Sequence, residues 1–515
     1  MHKLLDARNV WKTIHSTQIG TESTNPLGQS PLNKHPANSV AVERTAKLRF
    51  APVVQKLTAN LELQECRRRL HHLPHLLLLE SSLRHPGLGR YSFLMADPVR
   101  WLMPDSIEQL REPLAQYKTQ AIPDLPPFTG GLAGMISYDH NRNLETIQPA
   151  NFDEFKVPTL AFGLYDVVVA FDHVSGESWL ISQGFGATPD TCRQTVAKER
   201  FDLFHSLLVS QSPPNKPPQQ TEPSIPVSKL APQYPVDGLP FLTSNFSEAQ
   251  YLATVQKCID YVYAGDVFQI NLAQRLLAEA NCDSTELYER LRKQNPATFS
   301  CYFDLGDAQV ISSSPERLIS IRDGLVETRP IKGTRPRSGD VQTDNAVSQQ
   351  LLSSEKDRAE NVMIVDLMRN DLSRFCTDDS IEVAQLCGLE KYQSVFHLVS
   401  VIRGQLRPDQ DAFSALEATF PGGSITGAPK VRAMEIISEL EPTARGTYCG
   451  SIGYIGADGN ADFNILIRTI TAQDGYWQFP VGGGLVAQST PELEYQETWT
   501  KAQGMLKAIN PEQQP

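Results

Sequence analysis

Two pairs of carboxylates stand three residues apart in stretches with helical periodicity, Asp357 with Glu360 and Glu494 with Glu497. That spacing puts both members of a pair on one helix face. Taken separately, each pair reads as a solvated face. Brought together, four carboxylates repel one another unless a cation sits among them. An all-oxygen set without cysteine or histidine suits Mg2+ rather than zinc, and Mg2+ keeps waters and takes anionic ligands. Two glycine-rich stretches could receive the anion. Pro421-Gly-Gly-Ser-Ile-Thr-Gly-Ala-Pro-Lys430 precedes a helix, and its amides, the Thr426 hydroxyl and Gly427 suit a carboxylate or phosphate. It is no Walker loop, because Ala428-Pro429 stands where Lys-Ser/Thr is required. Val481-Gly-Gly-Gly-Leu-Val-Ala487 fits Gly-x-Gly-x-x-Ala, but no βαβ unit surrounds it and the next helix opens too late. A nucleotide cofactor is therefore set aside. With Arg468, expected in a strand, both loops read as pockets for a multiply charged small molecule.

Three single residues join this set. Lys332 sits in Glu327-Thr-Arg-Pro-Ile-Lys-Gly-Thr-Arg-Pro-Arg337, expected as a proline-punctuated turn in which Gly333 lets the backbone come close to a neighbour. It could be a solvated loop charge, an anion anchor or a nucleophile. Glu316, in Ser312-Ser-Ser-Pro-Glu-Arg317, is either a turn carboxylate paired to Arg317 or, if buried, a general acid with a raised pKa. His397, in a Val-Phe-His-Leu-Val strand, reads first as a satisfied core histidine.

The elements that must position these residues come from ordinary globular composition. The chain has 515 residues, 40% hydrophobic and 21% charged, with net charge -12. Nothing in that balance attracts nucleic acid or an anionic membrane, and no apolar run approaches the roughly 20 residues of a spanning helix. Eight scattered cysteines without a Cys-x-x-Cys pair fit reduced thiols, and the expected location is the cytoplasm. Residues 1–45 are expected to be disordered. Residues 46–210 form an N-terminal domain dominated by strands, 211–239 a Pro/Gln-rich linker, and 240–510 the domain carrying the motifs. Strands are expected at Leu160 to Phe171, Glu177 to Ile181, 463–471 and 476–481, with helices at Glu355 to Arg374, 429–440 and 491–508. Ser489-Thr-Pro-Glu492 is expected to cap the last helix. Strands mixed with helices, without regular βαβ alternation, give an α+β fold of packed, mostly antiparallel sheets surrounded by helices.

At these residues the sequence resembles the chorismate-utilising enzymes: anthranilate synthase component I, aminodeoxychorismate synthase component I, and isochorismate and salicylate synthases. The motifs are Ser314-Pro-Glu-Arg317, Asp357-Arg-Ala-Glu-Asn361, Val365-Asp-Leu-Met-Arg-Asn-Asp371, His397-Leu-Val-Ser400, Gly427-Ala-Pro-Lys-Val-Arg-Ala-Met434, Gly450-Ser-Ile-Gly-Tyr454 and Glu497-Thr498. They cover 240–510 densely. Leu78-Leu-Glu-Ser81, Gly89-Arg-Tyr-Ser-Phe-Leu94 and Gly130-Gly131 extend the likeness more weakly toward the N-terminus. The resemblance implies an anthranilate-synthase-component-I-like fold. It implies that Glu360 and Glu497 hold Mg2+, with Asp357 and Glu494 around its waters. Arg468, Tyr454 and the amides of Gly482, Gly483 and Gly484 would hold the enolpyruvyl carboxylate of chorismate, and Lys501 would face an anion. Glu316 would be the general acid, with His397 lining the pocket.

Within that family, enzymes adding water at C2 carry a lysine base where this chain has Gln269. Anthranilate synthases usually have alanine where Pro330-Ile-Lys-Gly-Thr334 has Lys332, as aminodeoxychorismate synthases do. The resemblance is therefore closest to the aminodeoxychorismate group. It implies chorismate amination by a transaminase-type reaction toward para-aminobenzoate and folate, through a Lys332 adduct. No cysteine sits in a Gly-x-Cys-x-Gly context, so ammonia is expected from a separate glutaminase subunit. Leu79, Glu80 and Ser81 match the segment with which feedback-inhibited anthranilate synthases bind tryptophan. This keeps anthranilate synthesis as the second reading, and a non-catalytic chorismate- or tryptophan-binding regulator as the third.

Overall fold

A computed structural model describes residues 50–58, 61–83, 88–187, 191–210, 222–392 and 395–511. The disorder expected for 1–45, and the linker through 221, lie outside the described residues.

Two antiparallel sheets pack face to face, one of thirteen strands and one of ten. Their packing explains why so many segments read as unbroken apolar runs. Successive strand side chains point to opposite faces. In Leu77–Glu80 and Tyr91–Met95, Leu77, Phe93 and Met95 enter the space between the sheets, where they meet Ala133, Met135 and Ile452 of the smaller sheet. Leu78 and Leu94 point the other way, under the helices Leu63–Leu70, Arg193–Val209, Ser284–Gln294 and Pro491–Ile509. The far face of the smaller sheet is covered by Glu355–Ser373 and Ala412–Thr419. Both faces of each sheet are thus buried, which removes the polar alternation of a half-exposed strand.

Each sheet draws strands from both sides of 211–239. Leu77–Glu80 pairs with Phe299–Asp304, and Gly131–Ile136 with Ser451–Gly456. The described end of the Pro/Gln-rich tract contributes a strand of its own, Tyr234–Val236.

Several expected elements differ locally. Leu160 to Phe171 is two strands, Leu160–Tyr165 in the smaller sheet and Val167–Asp172 in the larger. The chain changes sheets at the buried Asp166, which accepts hydrogen bonds from Arg200. The run 463–471 also divides, into Ala461–Asn464 and Thr469–Gln473. Arg468 therefore lies at a bend, in the left-handed region with φ 52°, and not in a strand. The last helix is capped at Thr490 with Pro491 in its first turn, and no side chain closes the expected capping box. Ser489 instead donates to Glu494 Oε1 at 2.6 Å. A capping box does form at Ser247 and Gln250, opening the helix Glu248–Ala264.

Candidate active site

Lys332 lies in an edge strand, Ile331–Pro336, rather than in a turn, and the strand pairs with Val395–Gln405 through a bulge. Gly333 makes that bulge possible. Its φ is +84°, and a Cβ there would lie 2.9 Å from Leu351 and 3.1 Å from Asp357. Lys332 reaches inward and donates to the carbonyl of Ser424 at 3.5 Å. The Ser424 hydroxyl donates to Glu316 Oε1 at 2.8 Å. One residue of the glycine loop therefore touches both the lysine and the acid.

Burial governs the electrostatics here. It lowers the pKa of Lys332, although the Glu360 and Glu316 charges pull the other way, and Lys501 adds a smaller lowering effect. Burial raises Glu316, against the Ser424 hydrogen bond and the charge of Lys332. An amine shifted toward neutrality and a carboxyl shifted toward protonation are what nucleophilic attack with acid assistance requires. His397, whose Nδ1 is 2.8 Å from the Thr334 hydroxyl, is pushed down to about 3 by burial, aided by the charge of Arg468. It is a neutral hydrogen-bonding wall, not a proton donor near pH 7.

The opposite wall is the strand Tyr476–Leu485. Gly482, Gly483 and Gly484 pair with Ala273, Leu272 and Asn271. A Cβ on Gly484 would lie 2.9 Å from Gln269 Nε2 and 3.3 Å from Lys332 Nζ, and one on Gly483 would lie 3.3 Å from Glu497 Oε1 and 3.5 Å from both Glu494 Oε2 and Lys501 Nζ. The glycines leave this wall bare so that these heads converge on it. Both side-chain polar atoms of Gln269 are buried without a protein partner among the described residues. Gly427 packs against the Gln269 carbonyl, only 2.1 Å from where a Cβ would be. The Thr426 hydroxyl donates back to Gly422 at 3.0 Å, bracing its own loop. Arg468 stands close enough for its charge to act on Glu316 and His397. No hydrogen bond to its guanidinium occurs among the described residues, which leaves five donors for an anion.

The carboxylate pairs sit as their helices place them. Glu360 and Glu494 share Lys356, at 4.0 and 3.8 Å, while Lys501 lies 2.7 Å from Glu497 and 2.9 Å from the Gly482 carbonyl. Asp357 pairs with Arg335 at 2.9 Å. Among the described residues no three metal-binding side chains are already gathered on one point. The donor set nevertheless fits a hydrated Mg2+. Glu494 Oε2 is buried without a partner, Glu497 converges with it on Gly483, and Mg2+ needs only one or two carboxylates beside its waters and an anionic ligand. Burial raises the pKa of Glu360 and Glu494. Burial also pushes Glu497 up, but Lys501 and its hydrogen bond bring the net shift below the usual value.

One expected site residue lies elsewhere. Tyr454 does not join Arg468. Its hydroxyl accepts from Arg322 at 2.9 Å, and its ring packs on Phe93 and Phe128 between the sheets. There it lines a cavity of about 250 Å³ with Leu79, Glu80, Ser81, Tyr91, Arg322 and Asp462. Neighbouring strand positions alternate, so the Glu80 carboxylate turns away under the helices, where Arg292, Tyr288 and Gln64 donate to it. Ser424 was not singled out from the sequence, although its loop was.

Comparisons with known proteins identify the family and the fold. The model of the chorismate binding enzyme family matches residues 85–507. The chain is 38% identical over 459 residues to aminodeoxychorismate synthase component 1 of Salmonella typhimurium, covering 85% of this chain and 94% of that one. It is also 38% identical over 439 residues to anthranilate synthase component 1 of Streptomyces coelicolor, covering 84% and 83%. Among solved structures, anthranilate synthase component I from Streptococcus pneumoniae superposes with a TM-score of 0.67 at 28% identity, covering 94% of this chain and 95% of that one. A half-buried lysine and a buried acid bridged by one serine, beside an unpaired arginine and converging glutamates, thus stand on a fold shared with these enzymes, and the chain belongs to the chorismate-binding enzyme family.

Proposed function

We propose that the chain aminates chorismate to 4-amino-4-deoxychorismate, toward para-aminobenzoate and folate, in the manner of aminodeoxychorismate synthase component I. The observation carrying this reading is the seat of Lys332, a partly desolvated amine with a lowered pKa tied through Ser424 to a protonation-prone Glu316. Gln269, in place of a lysine base, argues against water as the nucleophile at C2.

In the proposed reaction the neutral Lys332 nitrogen bonds to ring carbon C2. The ring double bonds shift, the C4–O bond breaks, and the hydroxyl leaves as water with the Glu316 proton. The adduct nitrogen returns a proton to Glu316. Ammonia then bonds to C4 as the C2–N bond breaks, Glu316 protonating the departing lysine and recovering its proton from the new amino group. The sum is chorismate plus ammonia giving the amino product plus water. Arg468 holds one substrate carboxylate. Glu360, Glu494 and Glu497, with Asp357 at their edge, would hold Mg2+, which when bound supplies positive charge for the ring carboxylate. Ammonia comes from a separate glutaminase subunit, and the location is cytoplasmic. No helix among the described residues is long and apolar enough to cross a membrane.

The expected outcome with chorismate, ammonium and Mg2+ is an aminated product without pyruvate, with turnover lost on chelation by EDTA. Anthranilate plus pyruvate would move the assignment to the second reading, which the cavity at Leu79 and Ser81 favours. Chorismate binding without turnover would support the regulator. In that cavity we place tryptophan, its ring among Tyr91, Phe93 and Tyr454 and its charged groups near Asp462 and Arg322. Calorimetric titration should detect binding that an Asp462→Ala variant weakens by about 10-fold or more, the loss of one charge-assisted contact. Absence of any tryptophan binding would sink this placement.

A further inference from the structure

Arg445 lies outside every motif quoted above and touches no atom of the reacting set, yet its contacts converge on the loop that does. Its side chain is 2% exposed and pairs with Glu441 at 2.7 Å. The guanidinium donates to the carbonyl of Ile425 at 3.1 Å and to that of Asn271 at 2.9 Å. It also lies over the Tyr138 ring at 4.6 Å. Glu441 in turn accepts from the amide of Ala273 at 2.8 Å. One buried ion pair therefore ties the glycine loop at Ile425 to two positions of the strand Gln269–Glu279.

Ile425 sits between Ser424, which touches Lys332 and Glu316, and Thr426, whose carbonyl accepts from the Asn271 amide at 2.8 Å. We infer that Arg445, held by Glu441, is a positioning residue that fixes the Ser424 backbone and hydroxyl between the lysine and the acid. The planar fork explains the choice of side chain. Arginine can serve two carbonyls and a carboxylate in one plane, whereas lysine offers a point charge without that geometry. A pair taken this far out of water is weak evidence of a purely stabilising role, because desolvation offsets its attraction. The inference rests on the assignment of Lys332 and Glu316 as reacting groups.

The test uses the full chain with Arg445→Lys, and with Glu441→Gln in case the first does not fold. Hydrogen exchange should show faster exchange of the Ser424, Ile425 and Thr426 amides, with the strands Ser451–Gly456 and Ala461–Asn464 unchanged. Turnover of chorismate with ammonia should fall by about 100-fold at nearly constant KM, the cost of misplacing a reacting group by about 1 Å. The alkaline limb of the pH profile should move to higher pH, widening the bell, as a loosened loop lets water reach Lys332. A purely structural pair would lower the melting temperature and leave loop exchange, the kcat-to-KM split and the pH limb in place, and that result overturns the inference. A wild-type chain that does not aminate chorismate removes the functional assignment instead, while the exchange experiment still decides whether Arg445 holds the loop.

Discussion

Replacing Lys332 with alanine should lower chorismate turnover by about 1,000-fold or more, the scale expected when a reacting group is lost and binding contacts remain. Chorismate affinity should change little, since Arg468 and the glycine wall are untouched. The same variant carries a stability signature. The folded pKa of Lys332 is lowered by burial. Between that value and the ordinary value of about 10.4, the unfolded chain holds a proton that the folded chain does not, so stability rises with pH across the window. In Lys332→Ala that contribution is absent. Denaturant titrations of both proteins at several pH values should show the wild-type gaining on the variant as pH rises. Parallel curves would mean that the lysine is not desolvated in the folded state.

Replacing Glu316 with glutamine is expected to cost about 100- to 10,000-fold, the usual range for a general acid. The accompanying pH profile distinguishes this from a disturbed pocket. The proposed reaction needs one proton shared between Lys332 and Glu316, so the wild-type rate should fall at low pH, where both are protonated, and at high pH, where neither is. Burial moves the two values toward each other, which narrows the bell. Glutamine cannot ionise, so the alkaline limb should disappear while the acid limb, now set by the lysine alone, remains. The stability sign is opposite to that of Lys332. With the Glu316 value raised, the folded chain binds the extra proton between about 4.3 and that raised value, and wild-type stability contributed by this group is lost as pH rises through the window. An alkaline limb that persists in Glu316→Gln would assign the acid to another residue.

The larger features could be read before any coordinates because they are local. Helices bearing Asp357 with Glu360 and Glu494 with Glu497 announce themselves by period, and the fold class follows from strands mixed with helices without regular βαβ alternation. What escaped depends on residues far apart in the chain. The division at Asp166 needs Arg200, which nothing in the run 160–171 reveals. Arg468 looked like a strand residue because the residues around it are apolar, although its backbone turns at φ 52°. Tyr454 was assigned to the wrong pocket because a strand buried on both faces does not say which face meets the substrate. Glu80 borders its expected cavity, but its carboxylate is held by Arg292, Tyr288 and Gln64 beneath the helices, which its own segment does not reveal. Arg445 carries no local signal, since its partners include Asn271, 174 positions away.

The most direct measurement is intact-protein mass spectrometry of the enzyme incubated with chorismate and Mg2+ in the absence of ammonia, followed by peptide mapping. A nucleophilic Lys332 should give a species heavier by chorismate less one water, mapped to the peptide containing Lys332, absent from Lys332→Ala and discharged when ammonium is added. An enzyme that aminates chorismate yet forms no such species under trapping, or carries it on another residue, would contradict the covalent role and leave Lys332 as a charge beside the substrate.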